Sequence, residues 1–274
     1  MLTFLFWNAK QTAAIESVVR LVKRHDVDVL ILAECPVSAP QLAHSLDGVG
    51  SQGFWSSTPL TGSDILILTR VLKSDFETVQ DASRIALRRI RCSGGSSVLL
   101  AAVHLVSAMW RTKADQRKGA EDAIEEIVRN EDSRRMTIVV GDFNMNPFDE
   151  GMVNANAFHA LMCRTDVTGQ RKVLQKSYMP FYNPMWSLLG DRGGRAPSTF
   201  RRGKDGVYCL FWNLFDQVIL REGLIGYFDE HSLQILEGDG QVGFRKRANL
   251  DTGISDHLPI LFRINLNVEL EDEP

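Results

Sequence analysis

The stretch RMTIVVGDFN (135–144) carries the clearest structural and chemical pattern in this chain. Its apolar run predicts a buried strand, and the glycine before Asp142 permits a sharp exit from that strand. Asp142 and Asn144 stand two residues apart, so in an extended segment their side chains would point to the same side. Carboxylate and amide oxygens are ligands that suit Mg²⁺ or Mn²⁺. The alternative for GDFN is an Asx turn after a strand, without any chemistry.

Other apolar strands in the chain are also followed at once by a polar side chain. The polar residues at these strand ends are Asn8, Glu34 and His104. In α/β sheets the strand ends at one edge converge on a common crevice, so we expect these groups to meet Asp142 in space. Each is weak evidence alone, since Asn often ends strands, a Glu after a strand is usually solvated, and His104 in AAVHL could be a structural histidine.

Hydrophobic spacing predicts the order of elements along the chain. Helical spacing predicts helices at 11–24 and 114–130. Strands are predicted at 2–7, 26–34, 64–69, 75–79, 84–90, 97–105, 135–144, 216–221, 232–237 and 258–264. The opening predicts two neighbouring strands joined by a crossover helix, and Ser93-Gly94-Gly95 predicts a hairpin. Without a repeat or a linker, the pattern favours a single α/β domain over residues 1–274, with two packed sheets flanked by helices.

The composition is that of an ordinary globular protein, with 44% hydrophobic and 24% charged residues in 274. The formal net charge of -3 means that a polyanion would have to bind to a local basic patch. Four widely spaced cysteines without a CxxC pair disfavour a zinc site and a disulfide framework, and they favour a reducing, cytoplasmic compartment. The N-terminal apolar run is too short for a signal peptide or a membrane span, so no membrane association is expected.

A second polar motif, Ser255-Asp256-His257, lies directly before the predicted strand 258–264. A carboxylate beside an imidazole is able to bind a metal and to contact a phosphoryl oxygen. The alternative is a capped turn with a surface histidine.

Taken together, these motifs resemble those of the endonuclease/exonuclease/phosphatase superfamily, and the resemblance runs from about residue 2 to about residue 264. The motifs that match in order and spacing are Asn8 after a first strand, Glu34 after LILA, GDFN at 141–144, Asp216 in FDQVIL and SDHLPI at 255–260. The superfamily includes DNase I-like nucleases, abasic-site endonucleases, inositol polyphosphate phosphatases, sphingomyelinases and deadenylases. The resemblance implies a four-layer α/β sandwich with two mixed sheets and a site at one edge.

The resemblance also implies a role for each matching residue. Mg²⁺ or Mn²⁺ would be held by Glu34 and Asn8 with support from Asp256, while Asp142 would orient or deprotonate the attacking water and Asn144 would help to hold the phosphate or a second metal. His257 would stabilise charge on the phosphoryl oxygens, Asp216 would fix its ring, and His104 would contact the phosphate. The expected metal ligands are therefore Asn8, Glu34, Asp142, Asn144 and Asp256, and the expected catalytic residues are His104, Asp142, Asn144, Asp216 and His257.

The substrate has to be read from the segment 164–204, which is basic and interleaved with aromatic residues. Its basic residues are Arg164, Arg171, Lys172, Lys176, Arg192, Arg195, Arg201, Arg202 and Lys204. Cations beside aromatic rings suit a polyanion with stackable bases, and Arg201 and Arg202 are the expected substrate-binding pair. Trp186, Leu188 and Leu189 are instead expected to form a small apolar cluster beneath this loop.

These features favour a metal-dependent nuclease acting on DNA or RNA. FWNLFDQVIL lacks the Trp-Cys-Asp-Arg signature of inositol polyphosphate phosphatases, which makes that substrate less suitable. Two alternatives stay open: a phosphatase or phosphodiesterase for a small or lipid substrate, and a binding module without catalysis on the same scaffold.

Overall fold

The computed structural model describes residues 1–47, 53–57, 64–107, 112–173, 175–191, 193–202, 210–247 and 249–270. Among these residues, the first of two large sheets has the strand order β16-β19-β1-β2-β4-β3. Its strands are β1 (Leu2–Asn8), β2 (Val29–Ala33), β3 (Trp55–Ser56), β4 (Ile65–Thr69), β16 (Phe228–Ile235) and β19 (Ile260–Ile264). The parallel pairing of β1 with β2 confirms the predicted crossover unit at the start of the chain.

The second sheet has the order β5-β6-β7-β8-β15-β12-β9. Its strands are β5 (Phe76–Ala82), β6 (Ile85–Cys92), β7 (Ser96–His104), β8 (Thr137–Asp142), β9 (Ala160–Leu161), β12 (Phe181–Tyr182) and β15 (Asp216–Arg221). β6 and β7 form the hairpin predicted around Gly94, whereas β7 and β8 run parallel. Both sheets are therefore mixed.

Shorter elements complete the described part of the chain. Three two-stranded ribbons are formed by β10 (Arg171–Val173) with β11 (Lys176–Tyr178), β13 (Phe200–Arg201) with β14 (Trp212–Asn213), and β17 (Arg245–Lys246) with β18 (Asn249–Leu250). The helices are α1 (Ala14–His25), α2 (Ala39–Leu46), α3 (Lys113–Asn130), α4 (Glu150–Val153) and α5 (Glu222–Ile225), with 3₁₀ turns at Arg164–Val167 and Pro184–Leu188. None of the described helices has both the length and the apolar character needed to cross a bilayer.

Side-chain alternation along the strands produces four layers. In β1, Phe4 and Phe6 point into the core between the sheets, where the Phe4 and Phe262 rings stack with centroids 5.0 Å apart. Leu5 and Trp7 point the other way and pack against α1 and α2. The outer face of the second sheet packs in the same manner against α3 and α4. The expected four-layer α/β sandwich with two packed mixed sheets is thus confirmed.

The apolar residues of the segment 164–204 pack differently from the sequence-based expectation. Leu188 and Leu189 lie against the core between the two sheets, and the Trp186 ring lies 6.3 Å from that of Phe148. The separate cluster predicted for these residues is therefore wrong, because the 3₁₀ turn at Pro184–Leu188 sits directly on β15 and β16 and extends the main core.

Candidate active site

The strand ends predicted to converge do meet at one edge of the two sheets. Asn8 ends β1, and Glu34 directly follows β2, which runs parallel to β1. In the other sheet, His104 is paired with Asp142 across β7 and β8, and Asp142 is paired with Asp216 across β8 and β15. The edge opens into a cleft of about 500 Å³. The cleft is lined by Lys10, Glu34, Arg84, His104, Leu105, Val106, Ser107, Asp142, Asn144, Phe200, Arg202, Phe215, Asp256 and His257.

The Asn8 amide links the two carboxylates on the floor of the cleft. Its Nδ2 group donates to Glu34 Oε1 and to Asp142 Oδ2, both at 3.1 Å. Its Oδ1 atom is buried and accepts no hydrogen bond within the described part of the chain. Glu34 has a φ of 49°, a conformation that few residues other than glycine adopt. This backbone strain turns Glu34 out of the strand and into the cleft.

His257 is held by a carboxylate from the other sheet. Its Nδ1 atom lies 3.0 Å and 2.8 Å from the two Asp216 oxygens, so Nδ1–H donates to the carboxylate and Nε2 faces Asp142 Oδ2 at 3.8 Å. The Phe200 ring lies against the imidazole with centroids 4.7 Å apart. Burial alone would lower the pKa of His257, but the Asp216 and Asp142 carboxylates outweigh burial and raise it to about 10. His257 is therefore an oriented, positively charged donor at neutral pH.

The surroundings of Asp142 and Glu34 shift the pKa values of the two carboxylates in opposite directions. Burial raises the pKa of Asp142, against the effect of the neighbouring His257 charge. The His104 imidazole, whose Nε2 lies 3.5 Å from Glu34 Oε1, acts with Asn8 and Lys10 to lower the pKa of Glu34 to about 2, although burial opposes them. Glu34 is thus a permanent anion, while Asp142 has the greater affinity for a proton.

His104 is buried at the end of β7. Burial acts to lower its pKa, but the Glu34 and Asp142 carboxylates outweigh that effect and raise it. Its side chain faces both carboxylates of the cleft, which distinguishes it from a histidine buried within the apolar core.

The GDFN segment departs from the extended geometry predicted for it. β8 ends at Asp142, and Asn144 has a φ of 53°. The Asn144 backbone N–H donates to Asp142 Oδ1 at 2.8 Å, which forms the Asx turn considered as the alternative. Asn144 Nδ2 donates to the Leu105 carbonyl, and the side chain lines the cleft. The turn and the site are therefore combined in the same four residues.

Among the described residues, a lysine that sequence reasoning missed links Asp256 to Glu34. Lys10 Nζ lies 3.6 Å from Glu34 Oε2 and 4.0 Å from Asp256 Oδ2. Arg84, which also lines the cleft, was missed as well, whereas Phe200 is one of the aromatic residues of the segment 164–204. The spacing Asn8-Ala9-Lys10, two residues past a strand end, is the one sequence signal that points to Lys10.

Two groups in the cleft are able to hold a metal ion. Among the described residues, Asp142, Asp216 and His257 bring potential ligand atoms within 4.8 Å of one another. Both Asp216 oxygens, however, already accept from His257 Nδ1. The Glu34 side fits a hard cation better, because it combines an ionised carboxylate with the unpartnered Asn8 Oδ1.

Within the described residues, the basic segment 164–204 lines the cleft at its C-terminal end. Arg202 lines the cleft, and Arg201 lies beside it, with its guanidinium 5.7 Å from the centroid of the Trp212 ring. Arg164 instead pairs with Glu230 and lies over the Tyr182 ring, beside the opposite end of β15. Arg192 and Lys204 lie outside the described residues. The described basic residues Arg164 and Arg202 therefore do not share one binding surface.

The sequence matches no family model and no curated protein. The structure, in contrast, is similar to several solved structures over nearly its whole length. An endonuclease/exonuclease/phosphatase family protein from Leptotrichia buccalis matches with a TM-score of 0.59 at 12% identity, over 96% of this chain and 99% of that one.

Two further structures have more specific descriptions. An AP endonuclease from Archaeoglobus fulgidus matches with a TM-score of 0.59 at 11% identity, over 97% of this chain and 100% of that one. The 3′ phosphatase NExo from Neisseria, bound to a product DNA hairpin, matches with a TM-score of 0.55 at 13% identity, over 96% of this chain and 99% of that one. At such low identities the similarity is one of fold. This chain therefore has the DNase I-like fold of the endonuclease/exonuclease/phosphatase proteins.

Proposed function

We propose that this chain is a metal-dependent hydrolase of phosphate esters and that its substrate is a nucleic acid, DNA or RNA. The observation that carries the proposal is the position of His257, whose ring is fixed by Asp216 and whose Nε2 faces Asp142 across the cleft. An oriented cationic donor opposite a carboxylate with a raised pKa is the pairing that hydrolysis at phosphorus requires.

The proposed roles follow from the positions of the side chains. Asp142 accepts the proton of the attacking water, because burial has increased its proton affinity. His257 Nε2–H donates to a phosphoryl oxygen as negative charge develops, while Asp216 prevents the ring from turning. Asn8 holds the Asp142 and Glu34 carboxylates in fixed positions by donating to both. His104 and Asn144 face the phosphate from the second sheet.

The proposed metal is Mg²⁺ or Mn²⁺, held by Glu34 and Asn8 with Asp142, Asn144 and Asp256 around it. When bound, a divalent cation would neutralise the negative charge that develops on the phosphoryl oxygens and would favour loss of a proton from the attacking water.

The proposed substrate class rests on the rim of the cleft. Lys10, Arg84 and Arg202 place three cations around the site, and the stacked Phe200 and Phe215 rings also line it. Cations neutralise a phosphate backbone, and aromatic rings provide surfaces against which bases stack. Cytoplasmic location remains a prediction from the sequence.

The proposal predicts that Asp142→Asn and His257→Ala each lower turnover by at least about a hundredfold, the lower end for general acid–base groups. The assay is a substrate panel of DNA, abasic DNA, RNA, inositol phosphates, sphingomyelin and an aryl phosphodiester, with Mg²⁺, Mn²⁺ or EDTA. Asp122→Asn and His44→Ala, at exposed positions on α3 and α2, are matched controls. Near wild-type rates for Asp142→Asn and His257→Ala with saturating metal would sink the assignment.

A second prediction concerns the substrate. Binding of single-stranded DNA or RNA should weaken steeply with added salt. Arg202→Ala should reduce the slope of log affinity against log salt concentration by about 1, the change expected when one phosphate contact is lost. Arg164→Ala, which removes a cation remote from the cleft, is the matched control. A flat salt response would instead favour a small phosphate ester as substrate.

A further inference from the structure

Lys10, one of the three cations on the rim of the cleft, also contacts the acidic side of the cleft. Its ammonium group lies between Glu34 and Asp256, at 3.6 Å and 4.0 Å from one oxygen of each. These two carboxylates do not contact each other through any hydrogen bond described here, so Lys10 is what joins them. The ammonium group neutralises the acidic side of the cleft.

The Lys10 side chain is able to move away from both carboxylates. The backbone before it is fixed, because Ala9 N–H donates to the Ala33 carbonyl at 3.0 Å. The Lys10 side chain is 50% exposed, and each carboxylate side chain is 34% exposed. Exposed ion pairs of this kind contribute little to stability, so their loss costs little.

A divalent cation and Lys10 cannot share these carboxylates without conflict. Glu34 is the proposed metal ligand, and two like charges a few ångströms apart repel each other strongly at the edge of a protein. The cation that binds Glu34 must therefore displace the ammonium group. Within the cleft, Asp142 is already in contact with Asn8 and the two histidines, so the displaced Lys10 needs another anion.

We propose that Lys10 competes with the divalent cation for Glu34 and Asp256 and, once displaced, binds the substrate phosphate. Lys10 thereby couples the two binding events. Without phosphate it opposes the cation, whereas with phosphate it gains a new partner and the opposition disappears. This inference rests on the proposed function in one respect, namely that Glu34 binds the metal.

The test is a titration with Mn²⁺ in which free Mn²⁺ is read by electron paramagnetic resonance, with and without inorganic phosphate, against a protein-free blank. The proteins are the wild type, Lys10→Met, Glu34→Gln and Lys118→Met. Lys118 is an exposed lysine paired with Asp122 on α3, so its variant is the matched control. Lys10→Gln is included as a second variant at the same position. The thermal unfolding midpoint of each variant shows whether it is folded.

Lys10→Met should bind Mn²⁺ about threefold to tenfold more tightly than the wild type, the factor expected from removing one or two weak ion pairs. Phosphate should increase the Mn²⁺ affinity of the wild type by a larger factor than that of Lys10→Met. Lys118→Met should match the wild type, and Glu34→Gln should lose Mn²⁺ binding.

The failures are distinguishable. If Glu34→Gln loses Mn²⁺ but Lys10→Met and Lys10→Gln bind it no more tightly than the wild type, the role of Lys10 is wrong and the metal assignment stands. An equal effect of phosphate on the wild type and Lys10→Met overturns the coupling. Wild-type Mn²⁺ binding by Glu34→Gln, or no binding by any protein, overturns the metal assignment and the inference together.

Discussion

The charge on His257 depends more on its contact with Asp216 than on any other contact. Asp216 is fully buried, and both of its oxygens lie within 3.0 Å of His257 Nδ1. A histidine buried without such a partner would lose its proton, because burial penalises the charged form. The charge on His257 is therefore set by a residue that faces it from the other sheet.

This dependence predicts the effect of Asp216→Asn. The pKa of His257 should fall well below about 10, since burial is then opposed mainly by the Asp142 carboxylate. Turnover at neutral pH should fall with it, by about a hundredfold. Imidazole NMR signals followed across pH would measure the pKa, and Asp122→Asn is the exposed control. A His257 pKa that stays near 10 would contradict this account.

The same raised pKa has a consequence for stability. A group whose pKa is higher in the folded state stabilises the fold fully below its unfolded pKa of 6.5, and that contribution is lost as the pH rises through 10. The unfolding free energy of the wild type, measured with urea, should therefore decline over this range. In Asp216→Asn the decline should be smaller, and an equal decline in both proteins would contradict the assignment.

At the scale of elements, the close approach of β7 and β8 fixes Asp142. Gly141 has a φ of 155°, and a Cβ atom there would lie 1.9 Å from the Val103 carbonyl oxygen. A side chain at this position must push the two strands apart, and it would move Asp142 away from Asn8.

Gly141→Ala should therefore destabilise the protein by about 1–3 kcal/mol, the range for such local strain, and should lower turnover as well. Gly119→Ala makes the same substitution within α3, where the nearest atom is Val106 Cγ2 at 3.6 Å. That control should be neutral or stabilising by about 0.5–1 kcal/mol. Thermal and urea unfolding of both variants would separate the two outcomes, and equal stabilities would refute the role given to Gly141.

The elements were predictable from sequence where burial dominates. The strands 2–7 and 216–221 were placed closely because nearly every residue in them is apolar or ends the strand. Helix α2 was missed, although Ser38 caps it and the Ser38 N–H donates to Gln41 Oε1 at 3.0 Å, a capping box readable in the sequence.

Within the site, Asn8, Glu34 and Asp142 had strand ends to mark them. Lys10 had only the weak signal of lying two residues past a strand end. Phe200 had no strand end before it, because its position depends on contacts between distant segments.

At the scale of the molecule, the two sheets share one core. Phe4 from the first sheet and Leu100 from the second are both fully buried in it. Neither sheet is able to keep its inner face away from water without the other. We therefore propose that residues 1–274 form a single folding unit.

This proposal predicts one cooperative unfolding transition. In scanning calorimetry, the calorimetric and van't Hoff enthalpies should agree, and far-ultraviolet circular dichroism and tryptophan fluorescence should give the same midpoint. Two resolved transitions would show that the sheets unfold independently and would overturn the single-domain assignment.

The pairing of β1 with β19 has a consequence for how the protein is made. Residues 2–8 lie at the centre of their sheet beside residues 260–264, and Trp7 Nε1–H donates to the His257 carbonyl. During synthesis β1 leaves the ribosome long before β19 is made. Asn8 and His257 are brought together only after β19 has emerged, because the two residues lie far apart in the sequence.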